Sequence, residues 1–317
     1  MPGKKRATAL APGRGIGTIQ ADFPSTKNEM DAAKTSPQKP SERELRALVT
    51  LLEDDDPIVY RAVRSRLLSF GAPILHRLEP YLADPDPRIR RRCRAVAIRI
   101  RREANDSRLL QFCLRYGENL DLEEGLLLLA QTRFPDINPR LYREQLDAFA
   151  RELAGRIVEG PFALTSLAAV NDYLFYELGF RGADLSKAQP ADFYFNHVMD
   201  RRIGDPINLC ALYWLVAQRL RMPVVGIGIP GYFLCRFQTA AESVYIDPFH
   251  QGRLLTRADC VRYLHNAHRG FQEAFLAPIS PGRTLLRVCA NLYRLYEEQK
   301  RAAEAKRLRR YIVALAR

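Results

Sequence analysis

The sequence lacks any CxxC pair and any cluster of cysteine and histidine at metal-ligand spacing. Its six cysteines, Cys93, Cys113, Cys210, Cys235, Cys260 and Cys289, stand singly. A zinc site or a disulfide framework needs grouped ligands, so reduced thiols in a cytoplasmic protein are expected, with no metal and no cofactor. No apolar run approaches the roughly 20 residues of a membrane span, and the first residues hold no signal-peptide h-region. Acid is also short: 36 Asp and Glu stand against 49 Lys and Arg, a formal charge of +13. The excess predicts an acidic partner, whether nucleic acid, anionic membrane or an acidic protein surface, and charge alone does not choose among them.

What is present divides along the chain, whose 317 residues exceed one ordinary core. Residues 1–40 are rich in Lys, Ala, Pro, Gly, Ser and Thr without apolar periodicity, which predicts a disordered basic tail. Its Lys4-Lys5-Arg6 cluster is either a nucleic-acid contact or a solubilising end. From Glu42 a helical period sets in, and with it a repeat. Asp55-Asp56-Pro57 returns thirty positions later as Pro85-Asp86-Pro87, each copy an Asp cap and a first-turn Pro opening an amphipathic run. Paired helices at a fixed period resemble HEAT-type repeats, assigned here to residues 41–118. The second copy carries eight arginines between Arg88 and Arg102 with no acid among them. Arg90, Arg91, Arg94 and Arg102 form a candidate partner surface, and the alternative is a solvated helix face paired with nearby acids.

The stretch from Arg201 to Phe249 organises the remainder. Ile203-Gly204-Asp205-Pro206 is a helix start, and Leu209, Leu212, Val216 and Leu220 recur at helical spacing with Ala211, Trp214 and Leu215 between them. That predicts a helix buried on most sides. Val224, Val225 and Ile227 then read as a strand ending at Pro230-Gly231. Tyr232, Leu234 and Arg236 alternate with Phe233, Cys235 and Phe237, and Val244-Tyr245-Ile246 closes at Asp247-Pro248.

Four segments, Glu177-Leu178-Gly179-Phe180-Arg181-Gly182, Arg201 to Ile207, Pro230 to Leu234 and Tyr245 to Phe249, resemble the transglutaminase-like branch of the papain-type fold, in particular its bacterial SirB-one type. The resemblance implies an α+β protein that is mainly α. HEAT-like hairpins come first, then a transglutaminase-like helix-plus-antiparallel-sheet core over 119–275 with a helical entry segment. A tetratricopeptide-like hairpin over 276–317 closes the chain. It also implies where a Cys, a His and an Asp would stand in an active relative. Those places fall on Pro206-Ile207, Tyr232 and Asp247, and only the Asp is retained. A phenol with a reference pKa of about 10 does not replace an imidazole of about 6.5 as a base near neutral pH.

The degenerate triad therefore predicts a non-catalytic scaffold or regulator that binds a macromolecule, most simply a protein. One alternative is a cysteine-type hydrolase or acyl transferase with relocated groups, Cys210 as fallback nucleophile and His250 as fallback base. Another is nucleic-acid binding through the Arg88–Arg102 stripe. Arg201, Asn208 and Arg236 are candidate cleft or anion contacts, the alternative for Arg236 being an ion pair with Asp247 or Asp205. Cys235 should face away from Tyr232 by strand alternation. His76 and His197 are read as satisfied or exposed, and His265 with His268 as too few ligands for a metal.

Overall fold

In the computed structural model, residues 40–157, 163–240, 243–267 and 270–317 are described. The tail reading for residues 1–39, with Lys4-Lys5-Arg6, and the reading of His268 lie outside them. Among the described residues, 40–111 and 128–137 make one compact unit, and 112–127 with 138–317 make the other.

In the first unit the thirty-residue repeat is a repeat of hydrogen bonds. Helix α1 (Glu42–Leu51) leads to α2 (Pro57–Ser69), and α3 (Leu75–Leu82) leads to α4 (Pro87–Tyr116). Before α2, Asp54 accepts from the Asp56 amide at 2.8 Å and Asp56 accepts from the Ile58 amide at 2.7 Å. Before α4, Asp84 accepts from the Asp86 amide at 2.9 Å and Asp86 from the Arg88 amide at 2.6 Å. Each pair of carboxylates thus satisfies amides that a helix start leaves without partners. Leu45, Val49, Leu52, Val63, Leu67, Leu78, Cys93, Val96 and Ile100 meet beneath these turns in one buried cluster.

The arginine run serves the same turns. Arg92 donates to the carbonyls of Leu52 and Asp54 beyond α1 and lies 4.7 Å over the Tyr60 ring. Arg94 donates to the Leu82 carbonyl at 3.0 Å and Arg90 to that of Asp84 at 2.6 Å, both beyond or at the end of α3. Arg102 donates to the Arg133 carbonyl at 3.3 Å, at the end of α5 (Leu122–Arg133). Helix C-termini carry unpaired carbonyls and partial negative charge, which a guanidinium satisfies. Arg88, Arg99 and Arg101 pair with Asp55, Glu103 and Asp136. Of the four candidate partner contacts, Arg90, Arg94 and Arg102 therefore have donors engaged within the unit, while Arg91 is exposed.

In the second unit α6 (Pro139–Ala154) and α7 (Ala163–Asn171) come first, and α7 runs into a π-helical turn over Asp172–Glu177. The helix stops at Gly179, whose φ of +75° a residue with a side chain rarely adopts. Strand β1 (Arg181–Gly182) pairs in parallel with β2 (Ile203–Gly204), with α8 (Phe195–Arg201) between them. Helix α9 (Pro206–Arg219) follows and is buried from Pro206 through Ala217, as its apolar circumference predicts. It packs on α6 and on an antiparallel meander of β3 (Val224–Ile227), β4 (Leu234–Gln238), β5 (Ser243–Asp247) and β6 (Arg253–Leu255). The register sets Cys235 opposite Ile246 and Asp247 opposite Arg253. Tyr232 precedes β4 rather than lying in it, held by its amide on the Ile229 carbonyl at 3.1 Å after Gly231 at φ +79°. Helix α10 (Arg257–Asn266) opens with a capping box of Thr256 and Asp259, and α11 (Pro281–Glu298) and α12 (Ala302–Leu315) form the closing hairpin. No helix among the described residues is long and apolar enough to cross a membrane.

Asp56→Ala and Asp86→Ala should each lower stability by about 1 kcal/mol, the usual worth of a helix cap. Asp55→Ala should cost less, because its pairing with Arg88 is exposed. Urea unfolding at constant slope measures all three.

Candidate functional site

At the start of α9, where a catalytic thiolate would stand in an active relative, Pro206 and Ile207 are buried and carry no thiol. The Asp205 carboxylate closes this end. It accepts from the amides of Ile207 at 3.1 Å and Asn208 at 3.4 Å, and from the Asn208 side chain. Those amides are the donors that could otherwise hold an anion at the helix start. Burial pushes the Asp205 carboxyl up to about 6 against the pull of these bonds.

The chain ends β5 at Asp247, which has no exposed surface. A carboxylate so placed needs donors, and three converge on it. The Tyr232 hydroxyl donates to Oδ1 at 3.0 Å and stands 3.3 Å from Oδ2, the His250 Nδ1 lies 2.7 Å from Oδ2, and the His250 amide donates to Oδ1 at 3.3 Å. An ionised carboxylate only accepts, which assigns the proton of the imidazole to Nδ1. The Tyr232 oxygen is also 3.0 Å from that nitrogen, so the three side chains form a closed triangle. The turn Pro248–His250 brings His250 back over the strand end, and Gln251 and Gly252, both at positive φ, reverse the chain into β6. Gly182 allows the approach of this turn, since a Cβ there would lie 2.7 Å from the Phe249 carbonyl.

This arrangement fixes what each group can do. Burial, then the charge and hydrogen bond of Asp247, hold the Tyr232 phenol far above its ordinary range, so it stays protonated. The Asp247 hydrogen bond raises the His250 imidazole, with burial and the charge of Arg253 opposing. The side chain of His250 is 46% exposed. The site is thus a carboxylate and an imidazole with a neutral phenol between them.

Other residues weighed from sequence go elsewhere. Cys210, the fallback nucleophile, has no exposed surface, and its thiol donates to the Phe233 carbonyl at 3.5 Å rather than meeting an imidazole. Burial drives that thiol well above its ordinary value, which favours its neutral form. The Cys235 sulfur lies on the Cys210 carbonyl at 3.4 Å, and because Tyr232 precedes β4 the alternation expected between the two residues does not apply. Arg201 pairs with Asp192 at 3.1 Å. Asn208 is buried between Asp205 and the Phe193 carbonyl. Arg236 pairs with neither Asp247 nor Asp205 and instead donates to the Leu276 carbonyl at 3.0 Å. His76 and His265 are exposed.

Three residues beside the triangle carried no sequence signal strong enough to single them out. Arg287, on α11, donates to the carbonyls of Ile229 at 3.2 Å and Tyr232 at 3.1 Å, and burial brings its guanidinium down to about 10. Gly228 makes that approach possible, because a Cβ there would stand 2.5 Å from Arg287 Nη1. The Tyr263 ring tilts against Tyr232 with centroids 5.7 Å apart. Arg253 lies opposite Asp247 across β5 and β6. An arginine on the inner stripe of α11 and a glycine inside a strand run were the available hints.

Because the folded-state pKa of His250 is raised, its contribution to stability is full below its unfolded value of about 6.5. It is lost as pH rises through the folded value. Asp247→Asn should return the imidazole toward its reference value, read by NMR titration of the ring protons. Tyr232→Phe should cost about 1 kcal/mol, the lower end for a lost partner, since His250 still donates twice to the carboxylate.

A model of the transglutaminase-like superfamily matches residues 140–290. A UPF0162 protein of Xylella fastidiosa is 34% identical over 197 residues, 60% of this chain and 70% of that protein. A UPF0162 protein of Pseudomonas aeruginosa is 30% identical over 178 residues, 55% of this chain and 64% of that protein. F-box only protein 21 of Mus musculus is 31% identical over 137 residues, 41% of this chain and 21% of that protein. No solved structure matches significantly. A buried helix laid on an antiparallel meander, together with these matches, places the chain in the UPF0162 family, with a transglutaminase-like core.

Proposed function

We propose that this chain is a non-catalytic member of its superfamily, a scaffold or regulator that binds a macromolecular partner, most simply another protein. The observation that carries the reading is the closed triangle at Asp247. The carboxylate holds a tyrosine hydroxyl together with an imidazole from the turn after β5, and the Cys210 thiol is buried on a backbone carbonyl rather than on that imidazole. Nucleophilic acyl transfer needs a thiolate, a base beside it and donors for the developing oxyanion. Here the thiol place is empty of sulfur and Asp205 takes the helix-start amides. The match to F-box only protein 21 supports a binding role, since the matched stretch covers about a fifth of a much longer chain. The SirB-one kinship, the HEAT-like character of the repeats and a cytoplasmic location belong to the same proposal.

One observation favours a second reading. An imidazole fixed by a carboxylate at Nδ1, with its other nitrogen toward solvent, is the arrangement of a general base. Hydrolysis by activated water is what it would support.

Native alkylation with iodoacetamide at neutral pH separates the readings, together with ester hydrolysis by the chain and by His250→Gln. The non-catalytic reading expects all six thiols to react slowly until the chain unfolds, and equal background hydrolysis by the two proteins. One fast thiol, or turnover lost in His250→Gln, would sink it.

A further inference from the structure

The turn that follows β5 leaves positive charge over its one buried acid. Asp247 is fully committed to Tyr232 and His250. His250 Nε2 has no hydrogen-bond partner among the described residues, and nearly half of that side chain is open. Arg253 is exposed, lies opposite Asp247 in the β5–β6 register, and forms no ion pair among the described residues. His250 bonds Asp247 at 2.7 Å and Arg253 stands opposite that same residue, so both flank one strand end. Arg287, from α11 on the Tyr232 side, likewise forms no ion pair among the described residues. The rings beside the imidazole are neutral, Tyr232 at 6.2 Å between centroids and Phe249 at 5.2 Å, and β1, which packs on this turn, carries the exposed Arg181. Asp205 is used at the α9 start, and the exposed Asp172 follows Asn171, whose side chain donates to the Gly252 carbonyl of this turn at 2.8 Å.

Two outward donors of positive charge with a spent carboxylate beneath them make a receptor for one anionic group. We propose that His250 Nε2–H and the Arg253 guanidinium bind a carboxylate of the protein partner, from a Glu or Asp side chain or a chain terminus. This rests on the partner-binding reading above. A nucleic acid would need a run of cations along its phosphates, whereas this turn offers one imidazolium and one guanidinium. A single carboxylate between two charged donors matches that supply. Its occupation favours the imidazolium, so the site tightens as pH falls.

The test uses the full chain and blocked glutamate, N-acetyl-glutamate N-methylamide, as probe. Blocked glutamine and inorganic phosphate serve as separate arms. NMR follows the His250 ring protons against pH. Blocked glutamate should raise the His250 protonation constant by about threefold, what a half-exposed ion pair supplies. Blocked glutamine should leave it unchanged, and Arg253→Gln should weaken the glutamate response severalfold while the fold, read from the other resonances, is kept. No shift with glutamate, an equal shift with glutamine, or a response to phosphate alone would overturn the assignment. Were the thiols of the same sample still inert, only the carboxylate site would fall. A fast thiol would remove the partner-binding reading itself.

Discussion

A carboxylate with no exposed surface sits at the end of the third strand of a four-stranded meander, and its need for donors orders what surrounds it. An ionised carboxylate away from water is tolerated only when its oxygens are occupied. At Asp247 the occupants come from two sides, a tyrosine from the turn before β4 and a histidine from the turn after β5. Each fixes the position of its own turn. The Tyr232 turn is held further by Arg287 on its carbonyls, and the His250 turn by the approach that Gly182 leaves open. The three side chains tie the turn before β4 to the turn after β5.

The electrostatic consequence is specific. A phenol between a carboxylate and an imidazole, half-buried and beside negative charge, is held far above its ordinary range and contributes a hydrogen bond as the neutral form. The imidazole is the most exposed member of the triangle, its side chain 46% open.

In the other unit, charge is used in a different way. A run of arginines without intervening acid has the look of a docking surface in the sequence. Arg90, Arg92, Arg94 and Arg102 nevertheless place guanidinium groups on carbonyls at helix ends, and the aspartates of the repeat place carboxylates on amides at helix starts. Opposite charges thus sit at opposite helix poles, where the backbone dipoles favour them. Spacing along the chain did not reveal this, because the carbonyl that each arginine meets belongs to a different helix.

The sequence by itself determined the local elements. Asp-Pro starts, an apolar circumference at 206–217 and alternation through 234–237 each became the structure they predict, since caps and periodicity act over a few residues. It also determined that no thiol stands at the head of α9. Only the tertiary structure decided that His250 shares Asp247 with Tyr232, that Cys210 turns to a carbonyl, and that Arg236 reaches Leu276 instead of an acid. Those pairings depend on which strand end meets which loop, and a buried polar group takes whatever partner the packing of distant segments brings within about 3 Å.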